Sequence, residues 1–579
     1  MTGRSTALAR WLPILGWLPT YDRSWLRPDL VAGLTVWALL VPEAMAYADL
    51  AGMPPETGLY AALGAIVAYA IFGTSRQLFV GPSSTVAILS LSTVGAVATT
   101  DNVVDLTIAL ALLVGVLSIM AGLFRLGFIS VFMSKPVLTG FMFGLGLTVA
   151  VGQLPKLFGV EGGSGNFFQQ LWAVVEELPD ADLRTSAIGV GSLVILLVGR
   201  RIFGHGVPMA LIVVFVSILL SNLLDWSDLG VHVVGEIPAS LPSLTVPDVE
   251  LGDIRDLLPG ALAIVLIGFA ESYGAAQNYA RKHGDDIDAS QELIALGASN
   301  VGAGLLGGFT VDGSLSRTAA ADDAGAKSQM AMLICGAITF VTILAFTPLF
   351  EALPEAVLGA VVISAIWGTF NVTEMRRVWR ANRLDFAAAA IALLGVIMID
   401  LLEGLLIAVL MSFVLVIYRA SRPSMPKLEQ IPGGPYVDAD RWRTEPTPGV
   451  VIVRFDAPLI FAGAEALEKR IDELLDEVST DEAAGPLRAV VLDLESVSDI
   501  DTDGADTLRS IHDGLQERDV SFLIARLNRP GRQALARAGV FDRIGEAHFF
   551  LSVRTAVNSI TGEQLDAAER MIQRYQLED

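Results

Sequence analysis

The chain has 579 residues, of which 53% are hydrophobic and 17% charged, and its mean hydropathy of +0.57 lies far above that of soluble domains. A formal net charge of −23 argues against nucleic-acid binding, and a single cysteine excludes an internal disulfide. The five histidines are scattered without metal-ligand spacing, so the composition predicts a polytopic membrane protein with no metal and no cofactor.

Apolar segments long enough to cross a bilayer begin near residue 30. Residues 1–29 contain no short apolar stretch that ends in a cleavage site, so we expect a cytoplasmic N-terminal segment rather than a signal peptide. A transmembrane transport domain is predicted over 30–421; its tenth segment is too short and polar to span alone, and an amphipathic stretch, 165–178, is expected to lie along the surface. The fourteen predicted segments are 30–48, 57–73, 82–98, 105–126, 129–153, 185–202, 208–224, 256–280, 290–308, 314–325, 327–350, 354–372, 384–400 and 402–421.

Basic residues cluster on one side of this arrangement. An even number of segments places both termini on the same side, and loops rich in lysine and arginine normally face the cytoplasm. The opposite loops carry only Lys156, Arg184 and Arg255. The sequence therefore predicts a multi-pass protein of the inner (plasma) membrane with cytoplasmic N and C termini. The predicted cytoplasmic set is Arg76, Arg125, Arg200, Arg201, Arg281, Lys282, Lys327, Arg376, Arg377, Arg380 and Arg383.

The composition changes after Arg422. Residues 422–448 are rich in proline, glycine and charge, which predicts a linker. Residues 449–560 alternate short β-rich runs such as "GVVIVRF" with helical patterns such as "AEALEKRIDELLDEV", which is typical of a small α/β domain. This domain lies on the basic, cytoplasmic side, and residues 561–579 are predicted to form a C-terminal tail.

Two carboxylates lie within otherwise apolar segments. Glu43 occurs in "VPEAMAYADLAG" and Glu271 in "IGFAESYGAAQNYA". A charge at membrane depth costs at least about 2.5–3.5 kcal/mol, so such residues usually face a cavity and have a functional role. The alternative is that each carboxylate only pairs with a partner and holds two helices together.

Two stretches interrupt the helical pattern, "FVGPSSTVAI" at 79–88 and "FTVDGSLSRTAAADDAG" at 309–325. Irregular backbone at membrane depth is tolerated where it lines a cavity, and a helix N terminus attracts anions. Segments three and ten run in opposite directions, so we expect their N termini to meet near the midplane, as in transporters built from inverted repeats. Ser314 and Ser316 would offer hydroxyls to an anion there, and Arg317 would add positive potential.

Arg317 also has a purely structural interpretation. Its guanidinium could neutralise Asp312, Asp322 or Asp323 without contacting a ligand. The two roles are compatible, so the sequence leaves both open.

At these residues the chain resembles the sulfate permease (SulP) family of anion transporters. The stretch "AGLTVWALLVPEAMAYADLAGMPPETGLYA" is similar to the family's first-span signature, and "DASQELIALGASNVGAGLLGGFTVDGSLSRTAA" is similar to its second. The region 449–560 resembles a STAS domain, so the resemblance covers nearly the whole chain. It implies seven-plus-seven inverted repeats divided into a core and a gate domain, usually as a homodimer, with an anion site between segments three and ten.

The resemblance also implies roles for individual residues. The third and tenth segments would face the anion through their starts, and the first segment would line the site. Glu271, in the eighth segment, matches an acidic position that is linked in relatives to proton or cation coupling. The substrate-binding residues implied in this way are Glu43, Tyr47, Ser83, Ser84, Ser314, Leu315, Ser316 and Arg317.

The membrane segments depart from the family pattern at two places. Glu43 stands where many members carry glutamine, so its carboxyl group must be protonated or turned away when an anion binds. Asp322 and Asp323 make "AADDAG" more acidic than is common in relatives. Both departures weaken any substrate assignment taken from the family.

The STAS region departs at its strand-to-helix turn, which reads Asp501-Thr502-Asp503-Gly504. Free-standing regulators with this domain carry a phosphorylated serine at the position of Asp503, which itself cannot be phosphorylated. We expect Asp503 to cap the next helix instead. Asp501, Thr502 and Asp503 together form the candidate regulatory turn.

The sequence thus predicts a secondary active transporter of a small anion, with sulfate and bicarbonate as first candidates and dicarboxylates also open. Coupling to protons is favoured over sodium, because Ala275, one turn after Glu271, offers no oxygen ligand. Four alternatives remain: an uncoupled channel or exchanger on the same fold, a sodium-coupled bicarbonate symporter, a nucleobase-type symporter, and a membrane-anchored regulator. Neither a P-loop nor a catalytic constellation appears, so the chain is not predicted to be an enzyme. The expected partners are the anion, a proton, membrane lipid and a second copy of the chain.

Overall fold

A helical unit, Met1–Ser412, and a smaller α/β unit, Phe413–Asp579, make up the computed structural model. The structure describes residues 11–98, 102–131, 134–163, 165–203, 208–237, 241–367, 370–399, 401–480 and 486–562. Most of the predicted C-terminal tail and the first third of the predicted N-terminal segment therefore lie outside the described residues.

Each predicted apolar segment contains a helix in the described part of the chain. The first seven are α1 (Leu26–Leu50), α2 (Pro55–Phe72), α3 (Ser84–Gly95), α4 (Val103–Leu123), α5 (Lys135–Phe158), α6 (Leu183–Phe203) and α7 (Met209–Leu224). The second seven are α8 (Leu251–His283), α9 (Ala289–Leu305), α10 (Leu315–Asp323), α11 (Met330–Ala345), α12 (Glu355–Ile366), α13 (Arg383–Met398) and α14 (Leu401–Ala420). Further helices and 3₁₀ turns are Ile14–Trp17, Arg23–Trp25, Leu126–Val131, Phe167–Glu177, Leu178–Asp180, Thr347–Phe350 and Val372–Ala381.

Six of these helices are long and apolar enough to cross a membrane by themselves: α1, α2, α4, α5, α6 and α8. Five more, in α3, α7, α11, α12 and the second part of α14, are apolar but shorter. Phe167–Glu177 falls within the predicted amphipathic stretch 165–178. The number of membrane crossings stays a prediction, because helix length alone does not fix it.

The helices pack as two groups drawn from both halves of the sequence. In the first group α9 lies against α4 and α2, α8 lies against α3 and α4, and α11 lies against α1. In the second group α13 and α12 pack on α5, and α12 also packs on α6. Glycines permit close helix packing in the first group, since a β-carbon on Gly64 of α2 would lie 2.3 Å from the carbonyl oxygen of Gly302 in α9. We call the first group the core group and the second the gate group, after the two domains that the resemblance implies.

Two very short strands connect the halves of the first group. Strand β1 (Val80–Gly81) pairs antiparallel with β2 (Asp312–Gly313), with Val80 opposite Gly313 and Gly81 opposite Asp312. Pro82 follows β1 and has no N–H to extend the ladder. Each strand is followed within three residues by the start of a helix, α3 or α10. The strand pair therefore brings two helix N termini to one place.

The α/β unit is built on a parallel sheet. Strands β5 (Val450–Arg454), β6 (Ala489–Asp493), β7 (Ser521–Ala525) and β8 (Phe549–Phe550) lie side by side in that order. Strand β6 is buried along its whole length, so apolar runs rather than alternating patterns mark the strands in the sequence. The helices are α15 (Phe461–Thr480), α16 (Thr502–Gln516), α17 (Arg529–Arg537), α18 (Val540–Ile544) and α19 (Val553–Thr561), with a 3₁₀ turn at Glu546–His548.

The predicted linker, 422–448, contains an ordered hairpin of β3 (Leu428–Gln430) and β4 (Tyr436–Asp438). Its proline and glycine residues form the turn between the strands. Leu428 is only 2% exposed and belongs to the apolar cluster on one face of the sheet. The backbone N–H of Arg454 in β5 donates to the carbonyl oxygen of Pro426 at 3.1 Å, which attaches the preceding stretch to the sheet edge. This part of the predicted linker thus belongs to the α/β unit.

Candidate functional site

The N termini of α3 and α10 are held against each other by backbone and side-chain hydrogen bonds. Beyond the β1–β2 ladder, the N–H of Ser314 donates to the carbonyl oxygen of Phe79 at 2.9 Å. The N–H of Phe79 in turn donates to the hydroxyl of Thr318 at 3.1 Å. Exposed N–H groups at two helix starts create a region of positive potential that favours a small anion.

Arg317 lies at this junction and is only 1% exposed. Its Nη2 donates to the carbonyl oxygen of Pro82, just before α3, at 2.6 Å. Its Nε and Nη1 have no hydrogen-bond partner among the described residues. Gly81 lies beside Nη1, since a β-carbon there would be in van der Waals contact with that nitrogen at 3.5 Å. A buried guanidinium with two unused donors is suited to a ligand that accepts hydrogen bonds.

The structural interpretation of Arg317 finds less support. Asp322 is engaged elsewhere, with Lys282 and with His283 at 2.6 Å. Asp312 lies close enough to interact electrostatically with Arg317, but both of its carboxyl oxygens lack a hydrogen-bond partner in the described part of the chain. Arg317 therefore compensates Asp312 at a distance while two of its donors remain available.

The serines at the start of α10 have different roles. Ser314 is the N-cap, and its hydroxyl accepts from the N–H of Arg317 at 3.3 Å and lies 3.0 Å from the hydroxyl of Ser316. Ser316 and Leu315 are exposed at the helix start, with Leu315 55% exposed. Ser314 therefore caps the helix, and Ser316 is the exposed serine at the helix start.

On the α3 side, Ser83 is the N-cap in an extended conformation without a side-chain cap hydrogen bond. Its hydroxyl is buried and has no partner among the residues that the structure describes. Tyr47 of α1 is 5% exposed, and its hydroxyl lies within hydrogen-bonding reach of Ser84 at the first position of α3. The structure thus brings these three predicted residues to the same junction.

Glu43 lies one turn before Tyr47 and lines a cavity of about 90 Å³ together with Ser316 and Arg200. Both Arg317 and Arg200 act electrostatically on its carboxyl group. The sequence predicts Arg200 only as one of the basic residues on the cytoplasmic side. Because Arg200 lines the cavity, it belongs to the surroundings of the site. Two adjacent arginines at the end of a segment do not by themselves predict a place near an anion site.

Glu271 on α8 does not line that cavity. It faces Asp312 of β2 and the hydroxyl of Thr85 in α3. From the sequence, Asp312 was predicted only as a possible counter-charge for Arg317. Asp312 is an ionisable residue at membrane depth, and this feature of the sequence could have indicated a functional role for it.

The candidate regulatory turn of the α/β unit requires one correction. The cap of α16 is Asp501, whose Oδ1 accepts from the N–H of Gly504 at 2.8 Å, so the prediction that Asp503 caps this helix is wrong. A capping side chain must come from the residue before the helix, and Asp503 already lies in its first turn. Thr502 and Asp503 are exposed on that turn. Asp501 also accepts from the N–H of Phe461 at 2.8 Å, which joins the starts of α15 and α16.

Among the described residues, no group of three or more histidine, cysteine or acidic side chains is placed to hold a metal ion. The arrangement at the α3–α10 junction instead offers backbone N–H groups, hydroxyls and a guanidinium. These groups bind anions by hydrogen bonds and positive potential.

Comparison with known proteins places this geometry in context. The model of the sulfate permease family matches residues 26–392, and that of the STAS domain matches residues 441–556. A probable sulfate transporter of Mycobacterium tuberculosis is 33% identical over 555 residues, which cover 95% of this chain and 98% of that protein. The murine Slc26a9 anion transporter, solved in the inward-facing state, is 24% identical with a TM-score of 0.87, covering 97% of both chains. The transmembrane domain of the cyanobacterial bicarbonate transporter BicA is 20% identical with a TM-score of 0.59, covering 68% of this chain and 98% of that domain.

Proposed function

We propose, since the chain belongs to the sulfate permease family and carries a C-terminal STAS domain, that the protein is a secondary active transporter of a small anion. The observation that carries this proposal is the junction of α3 and α10. There the β1–β2 pair joins two helix N termini beside a buried Arg317 with two unused donors. An anion at this place would receive hydrogen bonds from Arg317, from Ser316 and from backbone N–H groups at both helix starts.

Sulfate is the first candidate substrate, because the relative from Mycobacterium tuberculosis bears that name and is 33% identical over nearly its whole length. Bicarbonate is the second, because the bicarbonate transporter BicA has a related membrane fold. Helix dipoles and one arginine select for charge and size, so a dicarboxylate also fits the chemistry of the site.

Coupling to protons through Glu271 is part of the proposal. Its Oε1 is buried without a hydrogen-bond partner among the described residues, and removal from water disfavours the charged form of a carboxyl group. The bound anion and the protonated carboxyl would cross together as the core group of helices moves against the gate group. We further propose that the protein is a homodimer in the plasma membrane. Its termini would be cytoplasmic, because the distribution of basic loops favours that orientation.

Uptake by the purified protein in lipid vesicles tests the proposal. Radiolabelled sulfate is offered at several external pH values, with and without a sodium gradient, and unlabelled bicarbonate, chloride, nitrate and dicarboxylates compete. We expect an inward proton gradient to accelerate uptake. In Glu271→Gln, which mimics the protonated carboxyl, sulfate affinity should persist while the acceleration disappears.

The control is Glu374→Gln, on the surface helix Val372–Ala381, where the carboxylate pairs with Arg377. This variant should respond to the proton gradient as the wild type does. Uptake that follows sodium and ignores pH would support the sodium-coupled alternative, and anion currents that need neither gradient would support a channel. Full proton dependence in Glu271→Gln would exclude this residue as the coupling site.

A further inference from the structure

Two carboxyl groups meet inside the core group of helices, away from the cavity at Glu43. Glu271 on α8 and Asp312 on β2 lie within hydrogen-bonding reach of each other. The contact is fixed by the backbone, since the N–H of Gly313 donates to the hydroxyl of Ser272 at 2.7 Å and so pins β2 onto α8. Asp312 is 1% exposed, which removes it from solvent.

Three oxygen atoms of the pair lack a hydrogen-bond partner in the described part of the chain. Both carboxyl oxygens of Asp312 and Oε1 of Glu271 are buried without a hydrogen-bond partner among the described residues. Ionised carboxylates only accept hydrogen bonds, and two of them in contact in a nonpolar setting repel each other. One proton removes both difficulties, because the protonated group becomes a donor to its neighbour.

We propose that Glu271 and Asp312 bind a single proton between them, so that Asp312 is the second residue of the coupling site. This inference rests on the proposed function, because it names the partner of Glu271 in proton coupling. The proton enters from water on one side of the membrane and returns to water on the other, and the pair alternates between two negative charges and one.

One guanidinium and three hydroxyl groups surround the pair. Arg317 of α10 and the hydroxyl of Tyr47 in α1 both lie close enough to interact electrostatically with Asp312. From α3 come two hydroxyls, that of Thr85 beside Glu271 and that of Ser83 beside Asp312.

The elements behind the pair are uncharged at this point in the described part of the chain. Ser118 of α4 and Asn300 of α9 line a void of about 10 Å³ next to Asp312. The amide of Asn300 is occupied with the backbone of Leu296 and Val311. Arg317 is thus the cation that acts on the pair.

This arrangement links the proton to the anion. Without a substrate, the positive charge of Arg317 favours an ionised Asp312. An anion bound at Arg317 offsets that charge, so the pair gains affinity for its proton, and the proton in turn strengthens anion binding. Asp312 is suited to this transfer because it lies on β2, opposite Gly81 and five residues before Arg317.

Sulfate uptake into vesicles, measured against external pH without sodium, tests the inference. In the wild type, at pH values at which the pair is mostly unprotonated, the rate of uptake should rise about tenfold for each unit by which the pH falls. This slope is expected for one bound proton. Asp312→Asn gives the pair the single negative charge of its protonated state, and the amide supplies a hydrogen-bond donor. The dependence of uptake on pH should therefore be lost, and so should the accumulation of sulfate that the proton gradient drives. Glu271→Gln should give the same result by the same reasoning.

Asp322→Asn is the matched control, because this aspartate lies on α10 and pairs with Lys282 and His283. It should keep the wild-type slope. A wild-type slope in Asp312→Asn, with the slope lost in Glu271→Gln, would overturn the inference and leave the proposed function intact. Wild-type uptake without any pH dependence would instead contradict the proposed proton coupling.

A measurement on the wild type alone covers the case in which Asp312→Asn fails to fold. Infrared difference spectra of the full chain with sulfate, at acidic minus alkaline pH, should contain the carbonyl band of a protonated carboxyl group, and Glu271→Gln should lack it. Absence of the band in the wild type would overturn the inference. Sodium-dependent uptake without a pH effect would also overturn it, since the pair would then hold a cation.

Discussion

Arg317 joins the two halves of the anion site through a single side chain. Its hydrogen bond to Pro82 connects α10 to the residue that follows β1 and precedes the N-cap of α3, and its other two donor nitrogens, Nε and Nη1, have no partner among the described residues. A guanidinium in this position supplies both charge and directional hydrogen bonds. The site should therefore be more sensitive to the shape of this residue than to its charge alone.

We predict that Arg317→Ala weakens sulfate binding by about 1–2 kcal/mol, which is roughly five- to thirtyfold in Kd. Arg317→Lys keeps the charge but loses the planar fork, so its Kd should lie between those of the wild type and Arg317→Ala. Equilibrium binding to the purified protein measures the effect independently of transport rate. Arg377→Ala, on a surface helix, is the control, and an unchanged Kd in Arg317→Ala would remove this residue from the site.

Local signals in the sequence reached part of this arrangement. Ser314 and Arg317 could be predicted because the irregular stretch 309–325 indicates a helix start at membrane depth, where hydroxyls and positive charge suit an anion. The carbonyl of Pro82 lies 235 residues from Arg317 along the chain, and the contact of Glu271 with Asp312 joins α8 to β2. Pairings between distant residues depend on how elements pack, and one sequence carries no direct signal for them.

At the scale of elements, the β1–β2 pair determines where α3 and α10 begin. Two-residue strands show no periodicity, so the sequence predicted the interrupted helices but not the ladder that joins them. The fit around β2 is close, since a β-carbon on Gly313 would lie 2.9 Å from Cδ1 of Leu78 and 3.0 Å from Oγ of Ser272. Any side chain at this position must displace the strand or its neighbours.

We predict that Gly313→Ala shifts β2 away from α8 and breaks the hydrogen bond to Ser272. Loss of one hydrogen bond is worth about 1 kcal/mol, so sulfate affinity should fall roughly fivefold while the protein remains folded. Gly274→Ala in α8 is the matched control, because a β-carbon there would meet no atom within 4 Å. Binding measurements on both variants check the prediction, and equal affinities would show that β2 does not position the anion site.

At the scale of the whole molecule, the predicted family and the predicted fold class of a helical membrane transporter with a STAS domain are confirmed by the comparisons. They could be predicted because two long motifs mark the membrane part and the composition changes after Arg422. The exact start of the STAS unit could not, because the stretch 422–448 has the composition of a linker and folds as a hairpin. Its Leu428 contributes one apolar residue to a cluster otherwise formed by later strands and helices.

The hairpin leads to a prediction about removal of the STAS domain. The helical unit contains every residue assigned to the anion site, so deletion of residues 423–579 should leave sulfate affinity within about twofold of the wild type and lower the rate or the amount of transport. Deletion of 449–579 keeps the hairpin but removes the sheet that covers Leu428, which exposes an apolar face. This longer protein should therefore aggregate more than the shorter one. Binding and size-exclusion measurements on both truncations test the two statements. Loss of sulfate binding in a well-folded protein that ends at Arg422 would mean that the STAS domain is needed to form the site.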